Sequence, residues 1–127
     1  MEKAYPEHIN LTVSDLDKTA NLLCELFGWT IRWRGASIEG GETVHVGGKD
    51  SYLAIYKAPE VKTGQENTYK TIGSMNHIGI VVDDLDAMEI KVKAMGYEPK
   101  SHADYEPGRR FYFEDHDQIE FEIINYS

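Results

Sequence analysis

Two histidines stand at matching places in a repeated sentence. His8-Ile9-Asn10-Leu11-Thr12-Val13-Ser14-Asp15-Leu16-Asp17 returns as His77-Ile78-Gly79-Ile80-Val81-Val82-Asp83-Asp84-Leu85-Asp86. Neutral imidazoles are ligands for divalent first-row metal ions. A duplication that carries one histidine per copy is a simple way to bring two of them to one shared site. Near the C-terminus, Gln118, Glu120 and Glu122 alternate with Ile119, Phe121 and Ile123, so a strand there presents its carboxylates on one face. Two imidazoles and one carboxylate would hold a divalent ion and leave positions open for water and for a substrate with two oxygens. Such an ion acts as a Lewis acid or activates oxygen. Glu120 and Glu122 both qualify by parity. A strand histidine without such partners is ordinarily a surface group, and the register of the two copies is what raises this pair above that reading.

The elements that must position these groups follow the same duplication. His8–Val13 alternates Ile9, Leu11 and Val13 against His8, Asn10 and Thr12. His77–Val82 sets Ile78, Ile80 and Val82 against His77, Gly79 and Val81. A helix is expected after each, with Ser14 and Asp83 as N-caps and Asp17 and Asp86 in the capping-box position. The Asp15/Asp17 and Asp84/Asp86 pairs thereby read as caps and dipole partners rather than as catalytic dyads. The apolar stripes are Leu16, Ala20, Leu23 and Phe27, then Leu85, Met88, Val92 and Met95. Gly28 and Gly96 fall where a helix ends on a left-handed residue. Three strands are expected after each helix: 29–34, 42–46 and 52–56, then 97–102, 110–113 and 119–124. Asp115-His116-Asp117-Gln118 makes the last turn. Each half is thus βαβββ: a first module over 5–57, a polar linker over 58–73, and a second module over 74–126, together one domain.

Composition narrows the function classes. The chain has 127 residues, 41% hydrophobic and 28% charged, with a formal net charge of −9, as expected of one globular domain. It has no Lys/Arg run, so neither nucleic acid nor an anionic membrane is an expected partner. One cysteine, Cys24, excludes an internal disulfide and fits a reducing compartment. The start, Met1-Glu2-Lys3-Ala4-Tyr5-Pro6, has no apolar core of a signal peptide. A cytoplasmic protein with a small-molecule substrate is expected.

These features resemble the vicinal oxygen chelate superfamily of glyoxalase, bleomycin-resistance and extradiol-dioxygenase proteins. The residues that carry the resemblance are His8-Ile9, Asn76-His77-Ile78, Val82-Asp83-Asp84-Leu85, and Asp115-His116-Asp117-Gln118-Ile119-Glu120-Phe121-Glu122. The last run is similar to that family's Asp-Pro-Asp-Gly turn and metal-binding Glu, with His116 and Gln118 in place of Pro and Gly. The resemblance implies an α+β fold in which tandem βαβββ modules form a curved mixed sheet around a cavity. It also implies a homodimer, with modules paired within a chain or exchanged between chains. Its ligand set maps onto His8, His77 and Glu122, and the turn favours Glu122 over Glu120. The ion would be iron, manganese, zinc, nickel or cobalt. Glyoxalase I-like members add a Glu in the last strand of the first half. Ala54 stands there, which disfavours that isomerase and leaves a three-ligand dioxygenase, lyase or isomerase. His45 is a substitute ligand or an acid/base group, and Tyr112 is a proton carrier. Arg109 and Arg110 either clamp an anionic substrate or form an exposed pair. Trp29, Trp33, Tyr52, Tyr56 and Tyr112 are pocket-lining candidates. The alternative function is a metal-free binder that sequesters a hydrophobic or cationic drug.

Overall fold

A computed structural model describes residues 3–64 and 67–127. Met1 and Glu2, and linker residues Gln65 and Glu66, lie outside the described residues. The chain forms two compact units, Met1–Thr63 and Gly64–Ser127. The first runs β1 (His8–Thr12), α1 (Leu16–Phe27), β2 (Thr30–Ala36), β3 (Glu42–Gly47) and β4 (Tyr52–Lys57). The second runs β5 (Ile78–Val81), α2 (Leu85–Ala94), β6 (Lys100–Tyr105), β7 (Gly108–Glu114) and β8 (Glu120–Asn125). Each is a mixed four-stranded sheet, ordered β1-β4-β3-β2 in one and β5-β8-β7-β6 in the other. The βαβββ duplication therefore holds at the level of strand order. In each unit the first strand pairs parallel with the last.

Both helices start one residue later than the sequence suggests. Asp15 and Asp84, not Ser14 and Asp83, are the N-caps, and each carboxylate accepts the backbone N–H three residues on, from Lys18 and Ala87. Aspartate is at least as good a cap as serine, and starting here leaves Asp17 and Asp86 in the first turn, where they favour the helix dipole. There they bind arginines of a neighbouring strand: Asp17 with Arg34 and Asp86 with Arg109 at 2.9 Å. Helix α1 ends as expected on Gly28 at φ 68°. Its buried stripe closes on Leu26 rather than Phe27, which tilts against Trp29 instead. Helix α2 is a thinner cover: Leu85 and Val92 are buried, whereas Met95 of the expected stripe lies beyond the helix and is exposed.

The core of the first unit is Leu22, Leu23, Leu26, Val44, Val46 and Ile55. That of the second is Phe111, Phe113, Phe121, Ile123 and Val92. Strand β6 is Lys100–Tyr105, not 97–102. The reason is the hairpin: β6 pairs with β7 from Tyr105↔Gly108 outward, and Gly108 is needed because a side chain there would run into the Asn125 carbonyl. Tyr97, freed from the strand, hydrogen-bonds His116 instead, at 2.9 Å. The polar linker is not featureless either, since Thr68–Lys70 forms a short 3-10 turn.

The turn into β8 is built by Asp115. Its Oδ1 accepts from the backbone N–H of Asp117 at 2.8 Å and of Ile119 at 2.9 Å. Gln118 then takes φ 62°, the left-handed conformation for which glycine is ordinarily chosen. Asp115 is buried, and its Oδ2 has no hydrogen-bond partner among the described residues. Burial pushes its carboxyl pKa up, the two backbone N–H donors only partly offsetting this. The native state then holds the proton more tightly than the unfolded chain does, so this group's contribution to stability falls as pH rises through the interval above the ordinary aspartate value. Asp115→Asn keeps an Oδ1 acceptor and removes the charge. In urea denaturation the variant should gain on the wild type between about pH 4 and about pH 7, near to well above the ordinary aspartate pKa of about 3.9. A difference that does not change with pH would contradict this.

Candidate functional site

In the second unit, β8 carries Glu122 between two neighbours, Gly79 on β5 and Tyr112 on β7. In the first unit the same place is held by Ala54, between Asn10 on β1 and His45 on β3. The register thus puts Ala54 where the second unit has Glu122, and makes His45 the counterpart of Tyr112. Ala54 is buried and brings no ligating atom. The two halves share a scaffold while differing in chemistry at its centre.

Glu122 gathers three polar groups of the second unit, Tyr112, Arg110 and His77. The Tyr112 hydroxyl donates a short hydrogen bond to Oε2. Arg110 Nη1 stands 3.6 Å from the same oxygen, with both side chains about nine-tenths buried. His77 Nε2 is 3.9 Å away, and its ring meets that of Tyr112 edge-on. The Glu122 bond and burial together push the Tyr112 phenol up to about 12. At neutral pH Tyr112 is therefore a proton donor and not a base. Strand alternation splits the arginine pair: Arg110 turns to Glu122, while Arg109 binds Asp86 at the start of α2.

His77 is oriented from behind by a residue that sequence reasoning passed over. Tyr69, in the 3-10 turn of the linker, places its hydroxyl 3.2 Å from His77 Nδ1 and 3.0 Å from Glu120 Oε2. Glu120, the rival carboxylate, is thereby engaged with Tyr69. The only signal in the sequence was an aromatic residue in an otherwise polar stretch, too weak to single out.

The first unit assembles an aromatic stack. His8 lies on Tyr52 with ring centroids 4.9 Å apart, and His45 on Tyr52 at 4.5 Å. Arg32 covers the Tyr52 ring at 4.4 Å, and Trp33 leans on His45 at 5.1 Å. His8 Nδ1 is 3.0 Å from Glu7 Oε1, which also accepts from the Tyr52 hydroxyl at 3.3 Å. Burial, reinforced by His8 and Arg32, lowers the His45 pKa, so His45 is neutral at pH 7. Tyr56 is occupied otherwise: its hydroxyl donates to the Ile38 carbonyl at 2.8 Å, clasping the turn before β3.

Among the described residues no three His, Cys, Asp or Glu side chains form a group able to hold an ion. The second unit nevertheless offers a pair suited to one. His77 Nε2 and Glu122 Oε2 are separated by less than the roughly 4.2 Å that two metal–ligand bonds of about 2.1 Å can span. Both are acceptor atoms when a neutral imidazole carries its hydrogen on Nδ1.

The Glyoxalase/Bleomycin resistance protein/Dioxygenase superfamily model matches residues 6–123, and the chain belongs to this superfamily. Among similar solved structures is FosX, a fosfomycin resistance protein from Listeria monocytogenes, complexed with Mn(II) and sulfate. It is 25% identical, with a TM-score of 0.76, covering 99% of this chain and 95% of that one. TnmS3, an antibiotic binding protein from Streptomyces sp. CB03234, is 19% identical with a TM-score of 0.76, covering 100% and 99%. A glyoxylase/bleomycin resistance protein/dioxygenase domain from Frankia sp. EAN1pec is 20% identical with a TM-score of 0.83, covering 99% and 100%. No curated protein matches the chain significantly. No helix among the described residues is long and apolar enough to cross a membrane.

Proposed function

We propose that this protein is a metal-dependent enzyme acting on a small substrate that chelates through two oxygens. The ligands are His77 and Glu122 of the second unit and His8 of the first, from the same chain or from a second copy in a homodimer. The observation that carries the reading is the His77 Nε2–Glu122 Oε2 pair at 3.9 Å, two ligating atoms of the kinds that hold iron, manganese, zinc, nickel or cobalt. The Mn(II) complex of the similar FosX supports it. When bound, the ion would supply Lewis acidity to the substrate oxygens.

The chain's own residues would do the rest. Tyr112, with its phenol held protonated, donates a proton or a hydrogen bond to charge developing on the substrate. His45, neutral and at the equivalent place in the first unit, accepts one. Arg110 offsets the charge of Glu122 and offers its second Nη1 hydrogen to an anionic substituent, its Nε and Nη2 being taken by the Gly108 and Tyr105 carbonyls. With Ala54 in place of a further carboxylate, the reading favours a lyase, dioxygenase or other three-ligand member over glyoxalase I. A cytoplasmic location completes it.

Elemental analysis of protein purified without chelator should find about one divalent ion per pair of His8 and His77, and none retained by His77→Ala. Equal metal in both would sink the assignment. A second reading, metal-free sequestration of a drug, is favoured by the Trp33–His45–Tyr52–His8 stack, a surface suited to a flat or cationic ligand. It also has a precedent in the antibiotic-binding TnmS3. Ligand binding that survives chelator would select that reading.

A further inference from the structure

We propose that Tyr69 and Glu120 are positioning residues that fix the tautomer of His77, through a relay running Glu120–Tyr69–His77. The steps follow from donor and acceptor capacity alone. Tyr69 has one proton, and an ionised Glu120 can only accept. At 3.0 Å from Glu120 Oε2 the hydroxyl spends its proton there. Its oxygen is left to accept, and the group 3.2 Å away is His77 Nδ1. The hydrogen of a neutral His77 therefore sits on Nδ1, and Nε2 is unprotonated on the side of Glu122.

A different observation in the first unit has the same outcome. His8 Nδ1 lies 3.0 Å from Glu7 Oε1, a carboxylate that can only accept when ionised, so His8 too carries its hydrogen on Nδ1. The two repeats reach one tautomer by unrelated means: a carboxylate next in sequence for His8, and a tyrosine from the linker plus a carboxylate from β8 for His77. Outer partners of this kind orient metal-binding imidazoles. The purpose assigned to the free Nε2 rests on the metal reading given above, but the tautomer itself does not.

The test is therefore made first without metal. Nitrogen-15 correlation spectra of the imidazoles report which ring nitrogen carries hydrogen, at a pH about two units above the ordinary histidine value of about 6.5. A His77→Gln variant assigns the signal among the five histidines. Wild type should show His77 protonated on Nδ1. Tyr69→Phe removes the acceptor, and Glu120→Leu frees the tyrosine to donate to Nδ1 instead. Both should switch the dominant form to the Nε2 tautomer, although Glu120→Leu leaves Tyr69 itself in place. Tyr69 is well exposed, so its replacement leaves the core intact. A wild-type Nε2 tautomer, or no change in both variants, overturns the proposal. Mn(II) titration then reads the consequence: Tyr69→Phe should bind about 10- to 100-fold more weakly than wild type, and equal affinity would refute the positioning role. Wild type that binds no Mn(II) would refute the metal reading, while the tautomer spectra still decide the relay.

Discussion

Glu122→Gln should lower Mn(II) affinity by more than about 100-fold, beyond the 10- to 100-fold that loss of an outer partner costs. Glutamine keeps the shape and a carbonyl acceptor for the Tyr112 hydroxyl, so the sheet register around β8 has no reason to change. What it loses is the negative charge, which an ion needs and which Arg110, 3.6 Å away, now balances. The same substitution should weaken the hold on the Tyr112 proton, because a neutral amide oxygen accepts less strongly than a carboxylate. Its phenol, pushed up to about 12 chiefly by the Glu122 hydrogen bond, should fall back towards the ordinary value of about 10. Calorimetric Mn(II) titration and a difference absorbance titration against Tyr112→Phe measure the two effects in one variant. Unchanged metal affinity would remove Glu122 from the ligand set. An unchanged phenol would mean that Glu122 does not hold it.

Phe121→Ala should destabilise the protein by about 3–5 kcal/mol, the usual cost of emptying a buried aromatic site. Phe121 is 1% exposed and stacks on Phe113 with centroids 5.2 Å apart. It is the residue before Glu122, pointing to the opposite face of β8. Only two residues of α2 are buried over this unit, so little can shift to fill the space. The loss is read by chemical denaturation. A value under about 1 kcal/mol would show a site able to collapse, contrary to the large cavity term expected here. The effect also bears on function, since the packing of Phe121 fixes the strand on which Glu122 stands.

The fold was legible because its signals are periodic and said twice. Alternation in His8–Val13 and His77–Val82, and a glycine ending the first helix, need only local sequence. Errors arose where neighbours in space decide. Ser14 and Asp83 are plausible caps in isolation, and only the helix start shows that Asp15 and Asp84 face the free N–H groups. The stretch from Tyr97 alternates well enough for a strand, yet the hairpin closed by Tyr105 and Gly108 moves β6 downstream. In the site, parity placed Glu120 and Glu122 on one face, and the register separates their roles: Glu122 beside Tyr112, Glu120 bound to Tyr69. The divergence of Arg109 and Arg110 was implicit in strand alternation. Tyr69 was not recoverable, because a loop aromatic gains its meaning from a contact with no sequence period behind it.

The assignment of His8, His77 and Glu122 to one ion is tested most directly by counting imidazole nitrogens around bound Mn(II). Pulsed electron paramagnetic resonance of the loaded protein detects them through their coupling to the metal spin. Two coupled imidazoles are expected in the wild type, with one lost in His8→Ala. No bound ion, or an ion coupled to fewer than two imidazoles in the wild type, would contradict the assignment.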